Sequence, residues 1–345
     1  MKLFTNINSC KESWDKVKTN DFVQSSFLEI FYTNHPKIKH LFMCDTDTRL
    51  YAHIFELNFV KTANYINNKL LGFFIKFIKF DVLYLTNSFI TNIPAFLSNK
   101  QIDLKEFLSL VKYNYSLLVI PDFVFKNITA NKKEFSKVEV EQEMILEISD
   151  RWVLLDNYIS DLKNKYRKKV IKIINSTNKI EVKSLSPDDL IFYADNIQDL
   201  FNQVINESRF NGPLFNTTSF SLLVQKDIFK VYGYFLDDDL IAFSSEIYQD
   251  EILYSYYAGF DKSLNKNYPI YGRLLIETIN NAIKLKVSKV VFGRTANEFK
   301  SNFGAIPIRS FIYVKLKNKY LNILLKPILK SLSVKNWVQR NPFEK

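Results

Sequence analysis

Glycine is scarce in this chain. Seven occur in 345 residues, about 2 % where globular proteins carry roughly 7 %. Lys, Asn, Ile and Phe dominate instead, the mark of an AT-rich coding sequence that sheds glycine codons. A glycine kept against that drift serves positive φ or the close approach of backbone or ligand. Five of the seven, Gly233, Gly259, Gly272, Gly293 and Gly304, fall within residues 233–304. Cysteine is nearly absent: Cys10 and Cys44 have no motif spacing, which excludes a disulfide framework or a cysteine zinc site, and no metal is expected. Histidine stops at residue 53, with His35, His40 and His53 the only three. Chemistry in the C-terminal half therefore cannot use a Ser–His or Cys–His pair; a base there is Glu, Asp, Tyr, Lys or a water they hold. No long apolar run exists either. Residues 70–85 are the most apolar, but Lys76, Lys79 and Asp81 interrupt them, and they are too short to span a bilayer. The first residues lack the apolar core of a signal peptide, so a cytoplasmic location is expected.

What is abundant is positive charge. The formal net charge is +11, and residues 161–172 (DLKNKYRKKVIK) hold six Lys or Arg against one Asp. A basic helix over roughly 153–175, with Arg167, Lys168 and Lys169 at its centre, suits a polyanionic partner: phosphates, tRNA, an acidic carrier protein or a lipid headgroup. DNA is not expected.

The length suits two domains. In the C-terminal half, Ser186-Pro187-Asp188-Asp189 opens a helix. Residues 228–236 and 240–248 form a hairpin around Asp237-Asp238-Asp239, followed by a strand at 252–260. Leu275, Ile279, Ala282 and Ile283 line one face of a helix over 269–285. Strands at 289–293 and 309–317 flank a short helix that Thr295 and Glu298 would cap as a capping box. The N-terminal half echoes this order: helix, hairpin around Asp45–Thr48, strand, helix (103–114), strand (116–120). It holds a single glycine, which reads as a copy that lost its ligand.

The segments YYAGFDKSLNKNYPIYGRLL and FGRTANEFKSNFGAIP resemble GNAT-type acyltransferases of the tandem kind, related to the Fem aminoacyl transferases of bacterial cell-wall synthesis. The likeness is specific over about 150–320 and only architectural over 1–150. It implies an α/β (α+β) fold of two GNAT-like units in tandem, each a mixed, mainly antiparallel sheet flanked by helices. The expected boundaries are 1–150, a degenerate unit; 151–320, the acyltransferase unit led by the basic helix; and 321–345, a basic amphipathic tail. The tail could touch a membrane surface peripherally or pack back on the domain.

The resemblance also implies an acyl donor in the gap where strands 252–260 and 289–293 part. The donor would be acyl-CoA such as acetyl-CoA, an acyl carrier protein thioester or an aminoacyl-tRNA. The acceptor would be an amine on a small molecule or a lipid precursor. A CoA pyrophosphate would sit at the start of helix 269–285. This sequence has DKSLNKNYPIYG there in place of spaced glycines, so Asn265, Lys266, Tyr268 and Tyr271 would supplement the cradle. Gly259, Gly293, Arg294 and Thr295 are further donor contacts, and Arg209 and Asn211 candidate acceptor contacts. For catalysis the residues to consider are Glu246, an acid inside a strand; Tyr257, on its strand face with Leu253, Ser255 and Gly259 by alternation; Glu298; and Lys300. A non-catalytic binding module is the remaining reading, since the phosphate loop departs from the family pattern.

Overall fold

The N-terminal hairpin closes on an Asx turn: Asp45 Oδ1 accepts from Asp47 N at 2.9 Å and Thr48 N at 2.8 Å, as short polar side chains do in tight turns. The computed structural model describes residues 1–17, 20–58, 79–90, 93–207, 212–331, 334 and 336–344. Arg209 and Asn211 lie outside the described residues. Two compact units emerge, and neither is one continuous stretch. The first is Met1–Val140 with Arg209–Asn216 and Ser310–Val334; the second is Glu141–Ser208 with Thr217–Arg309 and Lys335–Lys345. The single expected boundary near 150 and the separate tail from 321 are thus replaced by exchanged segments.

In the first unit the principal elements are β1 (Lys2–Phe4), α1 (Ser25–Asn34), β2 (Lys39–Cys44), β3 (Thr48–Asn58), β4 (Lys79–Leu85), α2 (Leu104–Leu110) and β5 (Leu117–Pro121). Strands β1 to β4 pair antiparallel in chain order, and β4 then pairs parallel with β5 over Val82–Tyr84 and Leu117–Val119. Residues 136–147 form a long strand, β6 (Ser136–Glu147), that the sequence reading did not assign.

The second unit holds α3 (Leu155–Asp161), α4 (Asn164–Ser176), β7 (Glu181–Ser184), α5 (Pro187–Phe192), α6 (Ala194–Glu207), β8 (Phe229–Leu236), β9 (Asp239–Gln249), β10 (Ile252–Phe260), α7 (Ile270–Leu285), β11 (Lys289–Gly293) and α8 (Asn297–Ser301). Then come β12 (Ile306–Leu316) and α9 (Lys319–Ser331). The expected single basic helix is two helices, α3 and α4. Strands β7 to β10 pair antiparallel in chain order, and β10 pairs parallel with β11 over Ile252–Tyr254 and Lys289–Val291.

The repeat is therefore real in topology: hairpin, strand, then a three-residue parallel pairing. Each unit completes its sheet with a strand from the other half of the sequence. In the first unit β5 pairs with Ile312–Leu316 of β12, and in the second β11 pairs with Met144–Glu147 of β6. The second unit's core lies where α7 buries Leu275, Ile279, Ala282 and Ile283 against Leu253, Val290 and Phe292. Burying that apolar stripe is the main stabilising force on such a helix.

Candidate active site

The geometry begins with a bulge. Between Ser244–Ala258 and Glu246–Ser255, two residues of β10, Tyr256 and Tyr257, stand opposite one residue of β9, Ser245. Ser245 Oγ fills the interrupted ladder, donating to Tyr257 O at 2.8 Å and accepting from Tyr257 N at 2.9 Å. A bulge bends its strand and increases local twist. This one follows directly after Tyr254, the last β10 residue paired with β11, and β10 and β11 part there. A second irregularity in β11, between Val291 and Gly293, lies at the end of the partner strand. The expected parting of 252–260 from 289–293 is thus present, and its physical cause is local.

The bulge also overturns the expected alternation. Leu253 packs with Leu275 and Ile279 of α7, whereas Tyr257 lies edge-on to Phe201 of α6 with ring centroids 5.2 Å apart. Gly259 shares Tyr257's face. A Cβ there would come 2.6 Å from the backbone of Leu200 and Phe201. Gly259 therefore lets α6 approach the sheet, and its use as a donor contact is not supported. Burial pushes the Tyr257 phenol above its usual value, so it stays protonated at neutral pH and can donate but not accept a proton.

Glu246 faces the other side. It is 2 % exposed and accepts from Asn281 Nδ2 of α7 at 3.1 and 3.3 Å. Burial pushes its carboxyl up to about 8; hydrogen bonds from Thr278 and Asn281 oppose this, and the Glu277 charge adds to it. Across β10 it is paired with Ser255, the first residue beyond the parallel pairing. Glu246 and Tyr257 consequently lie on opposite faces of the sheet.

At the end of β11, Gly293 (φ +68), Thr295 (φ +71) and Ala296 (φ +50) all take the left-handed conformation. Gly293 suits this strained turn; the nearest atom to a Cβ there would be Ser255 O at 4.0 Å. The residue preceding α8 is Ala296, with no side-chain cap, so the expected Thr295–Glu298 capping box does not form. Glu298 instead pairs with Arg340, which occupies its carboxylate and argues against a general base. Lys300 is 3 % exposed and donates to the carbonyls of Phe292, Gly293 and Arg294 at 2.8, 3.3 and 2.9 Å. All three of its N–H groups have carbonyl partners, so Lys300 is a positioning residue for the turn and not a catalytic one. Burial pulls its ammonium down to about 7, with Glu141 and Glu143 partly offsetting this. Arg294, half-buried, has a buried Nε without a hydrogen-bond partner.

The start of α7 is not an open anion cradle. Ile270 N donates to Tyr268 O at 2.6 Å, and Tyr271 N donates to Asn265 Oδ1 at 3.1 Å. The Tyr271 ring lies between Phe260 (5.7 Å) and Phe299 (5.4 Å). Asn265 and Tyr271 are thus committed to the fold, and Lys266 is exposed. In α4, Arg167 donates to Ser160 O at 2.6 Å and Leu162 O at 2.9 Å, ending α3, and Lys169 sits over the Phe299 ring at 4.9 Å. The exposed basic stripe is Lys165, Lys168 and Lys172, so of the three expected residues only Lys168 belongs to it. Among the described residues no cluster of His, Cys, Asp and Glu could hold a metal ion.

Comparison with known proteins adds the family. The model of the GNAT acetyltransferase domain matches residues 197–301. The chain carries a GNAT domain. That span runs from α6 to α8 and contains the bulge, the parting and Lys300. Among solved structures, L-PGS from Bacillus licheniformis superposes with a TM-score of 0.55 at 9 % identity, covering 94 % of this chain and 98 % of that one. FemX superposes at 0.50 and 8 % identity, covering 94 % and 100 %. At such identities the likeness is one of fold, and it extends over both GNAT-like units. No curated protein matches by sequence. No helix among the described residues is long and apolar enough to cross a membrane.

Proposed function

We propose that the second unit is an N-acyltransferase that places the donor carbonyl in the parting between β10 and β11, where an amine attacks it. The parting carries this reading: a built-in bulge opens it, and Arg294, with its unpartnered Nε, stands at its rim. Arg294 grips an anionic or carbonyl group of the donor, Lys300 holds the turn that presents Arg294, and Glu246 takes the amine proton through a water and returns it to the thiol or ribose hydroxyl that departs as the donor's C–S or C–O bond breaks. Holding donor and acceptor together supplies much of the acceleration, and strand-edge amides stabilise the oxyanion. The acceptor class is an amine on a small molecule or lipid precursor, and the site works in the cytoplasm.

Arg294→Ala should weaken donor binding or turnover by about 1.5–3 kcal/mol, the range for a charge-assisted hydrogen bond, roughly 10- to 150-fold. The melting temperature should hardly change. A large loss of stability with unchanged affinity would make Arg294 structural.

The donor has a second reading. The start of α7 already spends two amides on Tyr268 and Asn265, and Lys165, Lys168 and Lys172 line one exposed face of α4. Both favour an aminoacyl-tRNA over CoA, whose pyrophosphate would need that helix start. Label transfer from acetyl-CoA, an acyl carrier thioester and aminoacyl-tRNA to an amine mixture distinguishes the donors. Lys168→Glu with Lys172→Glu should weaken only the tRNA reaction, with a reduced salt dependence. Retained binding without transfer from any donor would reduce the unit to a binding module.

A further inference from the structure

We propose that α9 is a docking helix for an anionic lipid bilayer. Its inner face anchors it to the first unit: Leu325 and Leu329 pack on the cluster of Phe55, Val82, Leu117 and Val314. Asn322 Nδ2 donates to Glu134 O at 2.9 Å, and Lys326 Nζ donates to Lys133 O at 2.6 Å. Its start is fixed by Asn318 Oδ1, which accepts from Tyr320 N and Leu321 N. A helix held this firmly would be expected to turn all its apolar residues inward. Instead Tyr320, Ile323 and Leu324 are 85 %, 72 % and 69 % exposed, and Pro327 is exposed too. Their spacing of i, i+3, i+4 and i+7 makes one continuous stripe pointing away from the unit that holds the helix.

The surroundings identify what the stripe meets. Lys317 and Lys319 are exposed at the start of the helix, and Lys132, Lys133 and Lys137 are exposed on the segment to which it is hydrogen-bonded. Glu134, the acid among them, pairs with Lys315. From residue 310 to 343 the sequence has no Asp or Glu. A second copy of this surface would be repelled by its own charge, and a nucleic acid has no use for Ile and Leu. An apolar stripe flanked by lysines fits a bilayer with anionic headgroups, the stripe entering the acyl boundary and the lysines resting on phosphate. The surface is separate from the parting in the second unit, so the proposal stands whatever that unit transfers.

The test is co-sedimentation of the full chain with vesicles of phosphatidylcholine alone, or mixed with equal phosphatidylglycerol. The protein should sediment with the mixed vesicles and stay in solution with the neutral ones. Ile323→Ser with Leu324→Ser, at exposed positions, should keep the wild-type circular dichroism and lower the bound fraction at least tenfold. The variant keeps every charge. Undiminished binding by it would assign vesicle association to lysines elsewhere and overturn the proposal. So would failure of the wild type to sediment, or a concentration-dependent dimer lost in the variant, which would make a second copy the occupant.

Discussion

Lys300 offers a test in which stability itself reports the geometry. Its ammonium is buried with three carbonyl partners, and burial pulls its pKa from 10.5 to about 7. Between those values the unfolded chain carries a proton on Lys300 that the folded chain has released. Stability therefore rises with pH across the window from about 7 to 10.5, by up to about 1.4 kcal/mol per pH unit for one proton. Below the folded value both states are protonated and the contribution is flat. The lowered value is the net of the burial cost to the ammonium and the partners that favour it, so the pH dependence of stability reads that balance directly. Lys300→Met removes the titrating group while keeping much of the volume. Urea unfolding of wild type and variant at pH 7, 8 and 9, followed by tryptophan fluorescence, should show the wild type gaining on the variant at each step. A stability difference independent of pH would refute the depressed ammonium. Turnover of the variant should also fall, because the carbonyls of residues 292–294 lose the group that fixes the turn bearing Arg294.

Two further predictions use the same linkage with the opposite and the like sign. Glu246, pushed from 4.5 up to about 8, binds its proton more tightly when folded, so its contribution to stability declines as pH rises from about 4.5 to 8. Glu246→Gln should remove that decline in pH-dependent unfolding and abolish the rise of the transfer rate with pH up to about 8, over which the base loses its proton; an unaltered rate profile would remove Glu246 from the mechanism. In the first unit, burial pulls His40 from 6.5 to about 4 and depresses His53 as well. The unfolded chain then binds protons that the folded one does not, so stability should fall as pH drops from about 6.5 towards 4, and a flat unfolding midpoint across that window would contradict the buried His40–Tyr51 contact of 2.7 Å.

Much of the architecture was legible because local chemistry and period agreed. The Asp45–Thr48 turn, the stripe on α7 and the strand ends at Gly293 all follow from neighbours in sequence. What escaped is what depends on distant chain. β6 has a readable alternation, with Lys137, Glu139, Glu141 and Glu143 at every second position, but its many charges disguise a strand that pairs inside a sheet. One strand it pairs with is β11, some 145 residues away in sequence, and no local signal names it. The candidate site failed in a similar way. Thr295 and Glu298 have the spacing of a capping box, yet Lys300 draws the carbonyls of 292–294 together, and the backbone enters α8 through left-handed residues. Glu298 is then free to meet Arg340 from the tail, a contact that spacing cannot reveal. Strict alternation along β10 broke because one serine, Ser245, stabilises a bulge.

The repeat explains why one unit and not the other is the candidate enzyme. Both have a three-residue parallel pairing, ending at Tyr84 in the first and Tyr254 in the second. The six residues that follow differ. Leu85, Thr86, Asn87, Ser88, Phe89 and Ile90 are all buried, whereas of Ser255–Phe260 only Gly259 is. In the first unit the chain fills its own crevice: Ser88 Oγ meets His53 Nε2 at 2.7 Å, and Phe89 stacks on Phe31 at 5.4 Å and packs on His35 at 4.1 Å. Phe215, from a segment of the C-terminal half, joins the same aromatic group. Side chains that close a crevice with their own contacts leave no volume for a donor, and interiors packed at crystal density do not reopen for small gains. The second unit carries the opposite solution, a bulge that parts its strands and a lysine that holds the rim. A duplicated fold can thus keep one copy as scaffold, its histidines spent on packing, while in the copy without a single histidine the residues after the parallel pairing stay mostly half-buried.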